Sequence, residues 1–432
     1  MTSETRPAAR APTEAFVWIW LPGATDPVVA GRVYRDRDHL LFNYGRSYLQ
    51  RADAIPIFEP ELPLRPGAIA PPAGLTMAGC LRDASPDAWG RRVILNHALG
   101  IRGKDADTAA LDELTYLLES GSDRIGALDF QQSPTDYVPR TAGDAGLDEL
   151  LSAAERVDAG IALTPGLDQA LFHGSSLGGA RPKATIETGE AKLIAKFSSS
   201  TDTFNVVKAE FVAMRLAGGI GFNAAPVRLA RAAGRDVLLV ERFDRRKVEG
   251  GWQRRAMVSA LTLFGLDEMM ARYASYEDLA VIVRHRFAAP RETLHELFGR
   301  LVFNILCGNT DDHARNHAAF WDGASLTLTP AYDICPQGRT GNEASQAMLI
   351  AGDIRASRLA VCLEAAPIFH LDAKAAATLI ADQIEALHAL WPDICDEAGL
   401  SEIDRRLLAG RIFLNPFIFE GAPAALRPGR LT

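Results

Sequence analysis

The apolar pattern of this chain changes near residue 255, and that change constrains the fold more than any other feature of the sequence. Before it, short apolar runs alternate with turn residues, and two such runs flank Thr188-Gly189, which predicts a β-hairpin. A second hairpin is predicted around Ala233-Gly234, and a helix over about 204–217. After residue 255 apolar residues recur mostly at helical spacing. The pattern predicts an α+β protein with a β-rich front half, a helical back half and a cleft between them.

Length and charge limit the class of protein. A chain of 432 residues is expected to form two or three domains. Apolar residues make up 48% and charged residues 23%, a balance that is typical of globular proteins and excludes a disordered or fibrous chain. The formal net charge of −8 excludes a surface that is basic all over, as nucleic-acid binding would favour.

The cysteines and the apolar runs favour a cytoplasmic protein. Five cysteines are scattered along the chain without a C-x-x-C pair: Cys80, Cys307, Cys335, Cys362 and Cys395. This pattern predicts neither a disulfide framework nor a zinc ribbon, and it suits a reducing compartment. No run reaches the roughly 18 apolar residues that a membrane-spanning helix needs. The apolar run Phe16–Leu21 is shorter than the core of a secretory signal and is predicted to be the first strand.

The segment Gly308–His317 carries the strongest chemical signal. It follows a long apolar helical stripe, and it places four residues between Asp311 and Asn316. This is the spacing of kinase catalytic loops, in which the Asp accepts a hydroxyl proton and the Asn places a neutral oxygen on Mg²⁺. Asp333, 17 residues after Asn316, could complete a magnesium site. The alternative is a polar loop in which an aspartate caps a helix and Asn316 bonds to the backbone.

Upstream residues fit the same chemistry. The loop Gly174–Lys183 is rich in glycine, so its backbone N–H groups could approach phosphates, although an ordinary surface turn is the alternative. Lys196 lies within an apolar strand, where a lysine is unusual unless it is paired. Glu210 on the following helix is the expected partner, as in kinases, and an edge-strand lysine that reaches solvent is the alternative.

A linker between the two halves is predicted at Val240–Arg245. Backbone groups of such a linker could bond to the edge of an adenine, and Phe243 could pack on its ring. The alternative is a strand end with surface charges. The order of these features, from the glycine-rich loop to the late Asp333, is that of a phosphotransferase.

At this point the sequence resembles the HipA toxin kinases, the kinase partners in bacterial HipBA-type toxin–antitoxin modules. The segments that carry the resemblance are Ser176–Lys183, Glu241–Arg245, Gly308–Asn316, Pro330–Asp333, Ser85–Arg91, Arg124–Leu128 and Phe42–Tyr44. The resemblance implies a protein-kinase-like two-lobed fold. It consists of an N-terminal subdomain over 14–125, a β-rich ATP-binding lobe over 126–247 and an all-α catalytic lobe over 248–432.

The resemblance also implies an ATP- and Mg²⁺-dependent serine/threonine protein kinase. Asp311 would be the catalytic base, and Asn316 and Asp333 would hold the metal. Nucleotide contacts would come from residues of the glycine-rich loop, the strand and the linker: Ser176, Gly178, Gly179, Ala180, Lys196, Glu241 and Phe243. Ser176 matches the serine that the family autophosphorylates, and the neighbouring Ser175 is a second candidate. A phosphate there would place about −2 charge beside the phosphates of ATP and silence the kinase.

The family further implies partners. The protein substrate would be an aminoacyl-tRNA synthetase. A HipB-like helix-turn-helix antitoxin would bind the kinase and supply the surface that reads DNA, which suits the acidic balance of this chain. The segment 255–262 departs from the His, Glu and Asp pattern that many members have after the linker, so the target cannot be carried over from a relative.

Three other classes of protein share some of these sequence features. A small-molecule phosphotransferase of the antibiotic-kinase type shares the D-x-x-x-x-N spacing, but the serine of the glycine-rich loop argues against it. A metal hydrolase could use His313 and His317, yet the glutamate of an H-E-x-x-H motif is missing. A scaffold without activity, which only bridges an antitoxin dimer, is disfavoured because all the chemical groups are present.

Overall fold

The first sheet brings together strands from both ends of the N-terminal region. In the computed structural model the chain is described over residues 11–99, 107–141, 145–161, 163, 171, 181–199, 202–339, 341, 343–429 and 431. The strands are β1 Glu14–Ile19, β2 Val28–Asp36, β3 His39–Tyr44 and β4 Leu128–Gln131, in the antiparallel order β3-β2-β1-β4. The expected first strand thus begins two residues earlier than the sequence predicted. Four helices accompany this sheet: α1 Arg46–Leu49, α2 Gly79–Arg82, α3 Ala88–Leu99 and α4 Glu113–Glu119.

The second sheet carries both predicted hairpins. After α5 Leu147–Asp158, it contains β5 Lys183–Glu187, β6 Lys192–Phe197, β7 Val227–Ala232 and β8 Arg235–Glu241, in the antiparallel order β5-β6-β8-β7. Ala233 and Gly234 both have positive φ, as a two-residue hairpin turn requires. The predicted helix is α6 Val206–Ile220. Asn205 caps its start, and Gly221, with φ of +105°, ends it.

The back half is mostly helical. Its helices are α7 Ala260–Leu263, α8 Tyr276–Arg286, α9 Pro290–Leu306, α10 Leu359–Ala365, α11 Ala373–Glu397 and α12 Glu402–Leu408. The expectation that this half is all-α needs correction, because three short strands lie within it and two more lie just before residue 255. They are β9 Arg245–Val248, β10 Gly251–Arg254, β11 Met257–Ser259, β12 Ala318–Trp321 and β13 Leu326–Leu328. Strands β9 and β10 form a hairpin, and β11, β12 and β13 form a small antiparallel sheet that supports the predicted catalytic loop.

Two apolar cores hold these layers together. The larger core joins the first sheet to the back helices, for example through Phe42 and Leu297. The smaller core packs α3, through Trp89, against the second sheet at Phe197 and Val237. Side chains of the N-terminal region therefore enter both cores, and the three predicted segments 14–125, 126–247 and 248–432 stay predictions. Over the described ranges, no helix combines the length and the apolar character needed to cross a membrane.

Candidate active site

A cavity of about 760 Å³ lies where the second sheet, the linker and the back half meet. Its lining contains residues that the sequence singled out, in three groups: Lys183, Ile194 and Lys196 from the sheet, Glu241–Asp244 from the linker, and His313, Arg315, Asn316, Tyr332 and Asp333 from the back half. Much of the remaining wall comes from the N-terminal region, including Arg82, Asp83, Ser85–Ala88 and Arg91, and further residues of the back half, such as Met257 and Glu268, complete it. The cavity is thus the cleft that the change in apolar pattern predicts.

Lys196 is the centre of a group of charges that we call the cavity cluster (Lys196, Glu210 and Asp333). Its ammonium lies 2.5 Å from Glu210 Oε1 on α6 and also donates to Asp333 Oδ1. Burial opposes the charge on Lys196, but Asp333 and Glu210 outweigh it and raise the pKa of the lysine. Burial likewise opposes ionisation of Asp333, yet Lys196 brings the pKa of that carboxyl down to about 2. The two carboxylates of the cluster therefore bond to one fixed positive charge, that of Lys196.

Asp333 is held in a backbone conformation that few non-glycine residues adopt. Its φ is +58°, in the left-handed region, where a residue with a Cβ typically loses about 1–2 kcal/mol. Aspartate tolerates this region better than most residues. Its side chain remains 37% exposed although it bonds to Lys196. The carboxylate is therefore anchored on one side and open to the cavity on the other.

The predicted catalytic loop begins where α9 ends. Gly308 has φ of +70°, and a Cβ there would lie 2.7 Å from the carbonyl oxygen of Ile412, so only glycine fits this exit from the helix. Asn316 Nδ2 donates to the Asp311 carbonyl oxygen at 3.0 Å. Because the amide nitrogen is used inside the loop, the carbonyl oxygen of the Asn316 side chain is the end that remains for a ligand.

Asp311 lies at the exposed rim of the site and is not among the residues that line the cavity. Loss of hydration raises the pKa of its carboxyl. Asp333 and Asp312 add to that rise, and His313 opposes it. A carboxyl whose pKa is shifted towards neutrality suits a group that accepts a proton. The structure therefore brings Lys196, Asn316 and Asp333 to one cavity and leaves Asp311 beside it.

The donors present fit a magnesium ion that shares its ligands with phosphates. Asn316 and Asp333 offer an amide oxygen and a carboxylate, and Mg²⁺ usually takes one or two protein carboxylates together with waters and substrate phosphates. Among the described residues, no group of three or more His, Cys, Asp or Glu side chains could hold a metal by itself. His317 lies 3.0 Å from Asp312 Oδ1, so the hydrolase alternative finds no support in this part of the chain.

The structure shows which backbone group of the linker is available as an acceptor. Glu241 N–H donates to the Pro226 carbonyl oxygen at 2.9 Å, but Pro226 has no N–H to donate in return. The Glu241 carbonyl therefore receives no bond from β7 at an edge of the cavity. Phe243 is half-buried beside it, with ring centroids 5.5 Å from Tyr332 and 5.9 Å from Phe320. The sequence contained the information needed to predict this acceptor, because a two-residue hairpin turn at Ala233-Gly234 places position 226 opposite position 241.

Sequence reasoning also missed a contribution from the N-terminal region. Lys183 lies directly opposite Lys196 in the sheet, and like charges at paired positions repel unless each has a counter-charge. Asp87, just before α3, supplies it, with Oδ2 3.5 Å from the Lys183 ammonium. Trp89 Nε1 also donates to the Lys183 carbonyl oxygen at 3.1 Å. The segment Ser85–Arg91 thus helps to fix the floor of the cavity.

A second group of charges joins the linker to neighbouring segments, and we call it the linker cluster (Asp123, Lys192, Arg242, Asp244 and Arg245). Asp123 lies 2.9 Å from Arg245 and from Lys192 and 3.1 Å from Arg242. Asp244 lies 2.8 Å from Arg242 and 2.9 Å from Arg245, and it accepts the Gly126 N–H at 2.8 Å. This cluster locks the loop 123–126 of the N-terminal region onto the linker.

Several predicted residues cannot be placed. Ser175, Ser176, Gly178, Gly179 and Ala180 of the glycine-rich loop lie outside the described residues. The described chain resumes at Arg181, whose guanidinium lies 2.8 Å from Asp202 Oδ1. The role of the loop in nucleotide binding therefore stays a prediction.

Comparison with known proteins identifies relatives. The model of the HipA-like C-terminal domain matches residues 175–391, and the model of the HipA N-terminal domain matches residues 22–131. The chain is 28% identical over 271 residues to a Sinorhizobium fredii protein named "Putative kinase Y4mE", covering 56% of this chain and 60% of that protein. It is 29% identical over 150 residues to the serine/threonine-protein kinase toxin HipA of Shewanella oneidensis, covering 30% of this chain and 34% of that protein. The matched part is thus less than two thirds of either relative.

The fold also has a solved counterpart. A chain in the complex of Shewanella oneidensis HipA, HipB and operator DNA superposes with a TM-score of 0.64 at 19% identity, covering 91% of this chain and 94% of that chain. At this identity the likeness establishes the fold, and it confirms the predicted α+β class. Since the two family models cover most of the described fold, including the cavity, the chain belongs to the HipA family.

Proposed function

We propose that this chain is an ATP- and Mg²⁺-dependent serine/threonine protein kinase. The observation that carries the proposal is the convergence of Lys196, Asp333 and Asn316 on one cavity, with Asp311 at its rim. These are the groups that phosphoryl transfer needs for phosphates, for the metal and for the proton of the acceptor. Their order along the chain is also that of a kinase.

Each residue has one role in this proposal. Lys196, held by Glu210, orients the phosphates of ATP, and the Glu241 carbonyl accepts from the amino group of adenine. The Asn316 side-chain oxygen and Asp333 hold Mg²⁺, which neutralises charge on the phosphates when it is bound. Asp311 takes the proton of the substrate hydroxyl as its oxygen forms the new bond to the γ-phosphorus and the bond to ADP breaks.

The finer parts of the proposal rest on the family. The kinase would autophosphorylate Ser176, or the adjacent Ser175, and would phosphorylate an aminoacyl-tRNA synthetase in the cytoplasm. Its partner would be a HipB-like antitoxin, with DNA bound only through that partner. The Shewanella oneidensis complex, which contains HipA, HipB and operator DNA, supports this arrangement.

The test is transfer of labelled phosphate from ATP in a whole-cell lysate, comparing wild type with Asp311→Asn. Loss of a general base should slow transfer by about 10²–10⁴-fold, whereas ATP affinity should stay nearly unchanged because Asp311 lies outside the cavity lining. Asp382→Asn, at an exposed position of α11, is the matched control. Mass spectrometry of the labelled chain would locate the phosphate at Ser176 or Ser175.

Two results would contradict the proposal. Transfer at the wild-type rate by Asp311→Asn would remove the assignment of the base. Label that reaches only small molecules, such as aminoglycosides or sugars, would favour a small-molecule phosphotransferase instead.

A further inference from the structure

The two ends of the catalytic loop are joined to each other beneath it. Asp312 follows Asp311, and His317 follows Asn316. His317 Nε2 lies 3.0 Å from Asp312 Oδ1, and both side chains are only 4% exposed. The residues proposed to take the proton and to hold the metal are therefore each attached to one end of the same buried contact.

Tyr276 completes this contact from another element. It is the first residue of α8 and is fully buried. Its hydroxyl donates to Asp312 Oδ2 and lies 3.3 Å from His317 Nε2. Its ring meets the imidazole edge-on, with centroids 5.4 Å apart. Both ends of the loop are thus fastened to the start of one helix.

Backbone bonds leave little freedom between these two ends. Asn316 N–H donates to the His313 carbonyl oxygen at 2.8 Å, and His313 N–H donates to the Asp311 carbonyl oxygen at 2.9 Å. On the far side, the His317 carbonyl accepts the Ala260 N–H at 2.8 Å. Bonds within the loop thus join Asp311 to Asn316, and the contact between Asp312 and His317 holds the same two ends from beneath.

A gain in folding stability does not explain why a carboxylate and an imidazole occupy this buried place. Taking a carboxylate and an imidazole out of water is unfavourable, and apolar side chains of similar volume are often at least as stable. A directional contact, in contrast, fixes one geometry. That property is useful beneath a loop whose two functional groups must keep a set separation.

We propose that Tyr276, Asp312 and His317 form a loop brace, a set of positioning residues that fixes Asp311 relative to Asn316. The loop brace then governs the rate of phosphate transfer and leaves nucleotide affinity unchanged. This inference rests on the proposed kinase function.

Tyr276→Phe is the sharpest test, because it removes one hydroxyl and keeps the ring. We expect kcat to fall by about tenfold, with the ATP Kd changed by less than about twofold, since the hydroxyl bonds to a charged group and lies apart from Lys196. His317→Leu should lower kcat by about 100-fold. His317→Gln, whose amide N–H can replace Nε2, should recover most of that loss. Tyr273→Phe, at a tyrosine that is 51% exposed, is the matched control.

Hydrogen exchange of the loop gives a second measurement that does not depend on activity. The His313 and Asn316 amides should exchange faster in Tyr276→Phe, whereas amides of β6 should not. Unchanged exchange in the loop, or an unchanged kcat with only a lower melting temperature, would overturn the loop brace. An ATP Kd that rises as much as kcat falls would also overturn it. If the wild-type chain transferred no phosphate, the proposed kinase function would be wrong. Hydrogen exchange would still test whether the loop brace holds the loop.

Discussion

The cavity cluster and the linker cluster are built from the same kinds of side chain, yet they differ in whether a charged group remains available to a ligand. Strand β6 contributes a lysine to each, four residues apart on one face: Lys196 to the cavity cluster and Lys192 to the linker cluster. In the linker cluster, Arg242 and Arg245 also donate to backbone carbonyls of the loop 123–126, so their hydrogen bonds are used within the protein. In the cavity cluster, Asp333 stays open to the cavity.

The difference separates a structural use of charge from a functional one. A buried ion pair that is fully bonded within the protein has nothing left for a ligand, and it holds two segments in one arrangement. A pair that faces a cavity can exchange one partner for a phosphate or a metal. The two clusters should therefore respond to mutation in opposite ways.

The largest expected effect is on the linker cluster. Asp244→Ala leaves two buried guanidinium groups and Lys192 to share the carboxylate of Asp123, and it leaves the Gly126 N–H without its acceptor. We expect the free energy of unfolding in urea to fall by about 3–5 kcal/mol, the usual result of breaking a buried pair. That is a large part of the roughly 5–15 kcal/mol by which domains are stable.

Glu402→Ala is the control for this prediction. Its ion pair with Arg406 on α12 is exposed, so we expect a loss below about 0.5 kcal/mol. A loss of similar size in both variants would mean that the linker cluster is no more important than a surface pair.

Lys192→Met and Lys196→Met make the next comparison, with the same substitution on the same strand. Lys196→Met should raise the ATP Kd by about 10–100-fold, because a hydrogen bond to a charged group is lost. Lys192→Met should leave the Kd within about twofold and should lower stability by roughly 1–2 kcal/mol, since Asp123 keeps two arginine partners. Titration calorimetry with ATP and urea unfolding measure both. If Lys192→Met weakened ATP binding and Lys196→Met lowered only stability, the roles assigned to the two clusters would be wrong.

The smallest expected effect is on pH dependence, for which the pKa of Asp244 in the linker cluster and the pKa of Asp311 are shifted in opposite directions. Burial opposes the charge of Asp244, but Arg242 and Arg245 outweigh it, so the pKa of that carboxyl lies below its usual value. A lowered pKa contributes stability above the ordinary carboxyl range, near pH 4, and this stability is lost as pH falls through the folded value. Asp244→Asn should therefore flatten the acid loss of stability.

Activity should respond at higher pH than stability does. The pKa of Asp311 is raised, and a base must be deprotonated, so transfer should slow at a pH where the chain is still folded. Rates and circular dichroism followed together over the acid range would check this. Coincident midpoints would mean that unfolding limits the activity.

Local features of the site could be predicted from the sequence. An ammonium within the apolar run Ile194–Phe197 needs a partner, and the next helix presents Glu210. The spacing from Asp311 to Asn316 lies within one loop and needs no tertiary information. Their roles, like those of the glycine-rich loop, stay predictions.

Contacts between distant segments could not be predicted. Arg242 and Asp123 are 119 positions apart, and Trp89 and Lys183 are 94 apart, and no local pattern specifies which charges will meet over such distances. The run 325–328 is strand-like in sequence and contains β13, but β11 and β12 were missed for another reason. They are three or four residues long, which is too short to display an alternating pattern.

The loop 123–126 has a practical consequence for anyone who would shorten this protein. A chain reduced to residues 132–432 would keep every side chain that is proposed to act on ATP. It would nevertheless lose Asp123 and the carbonyls that hold Arg242 and Arg245, together with Asp87 beneath Lys183. Arg242 and Arg245 would keep Asp244 but lose Asp123, and Lys183 would lose Asp87. The shortened chain 132–432 is therefore expected to precipitate. The N-terminal region has to be expressed together with the rest of the protein.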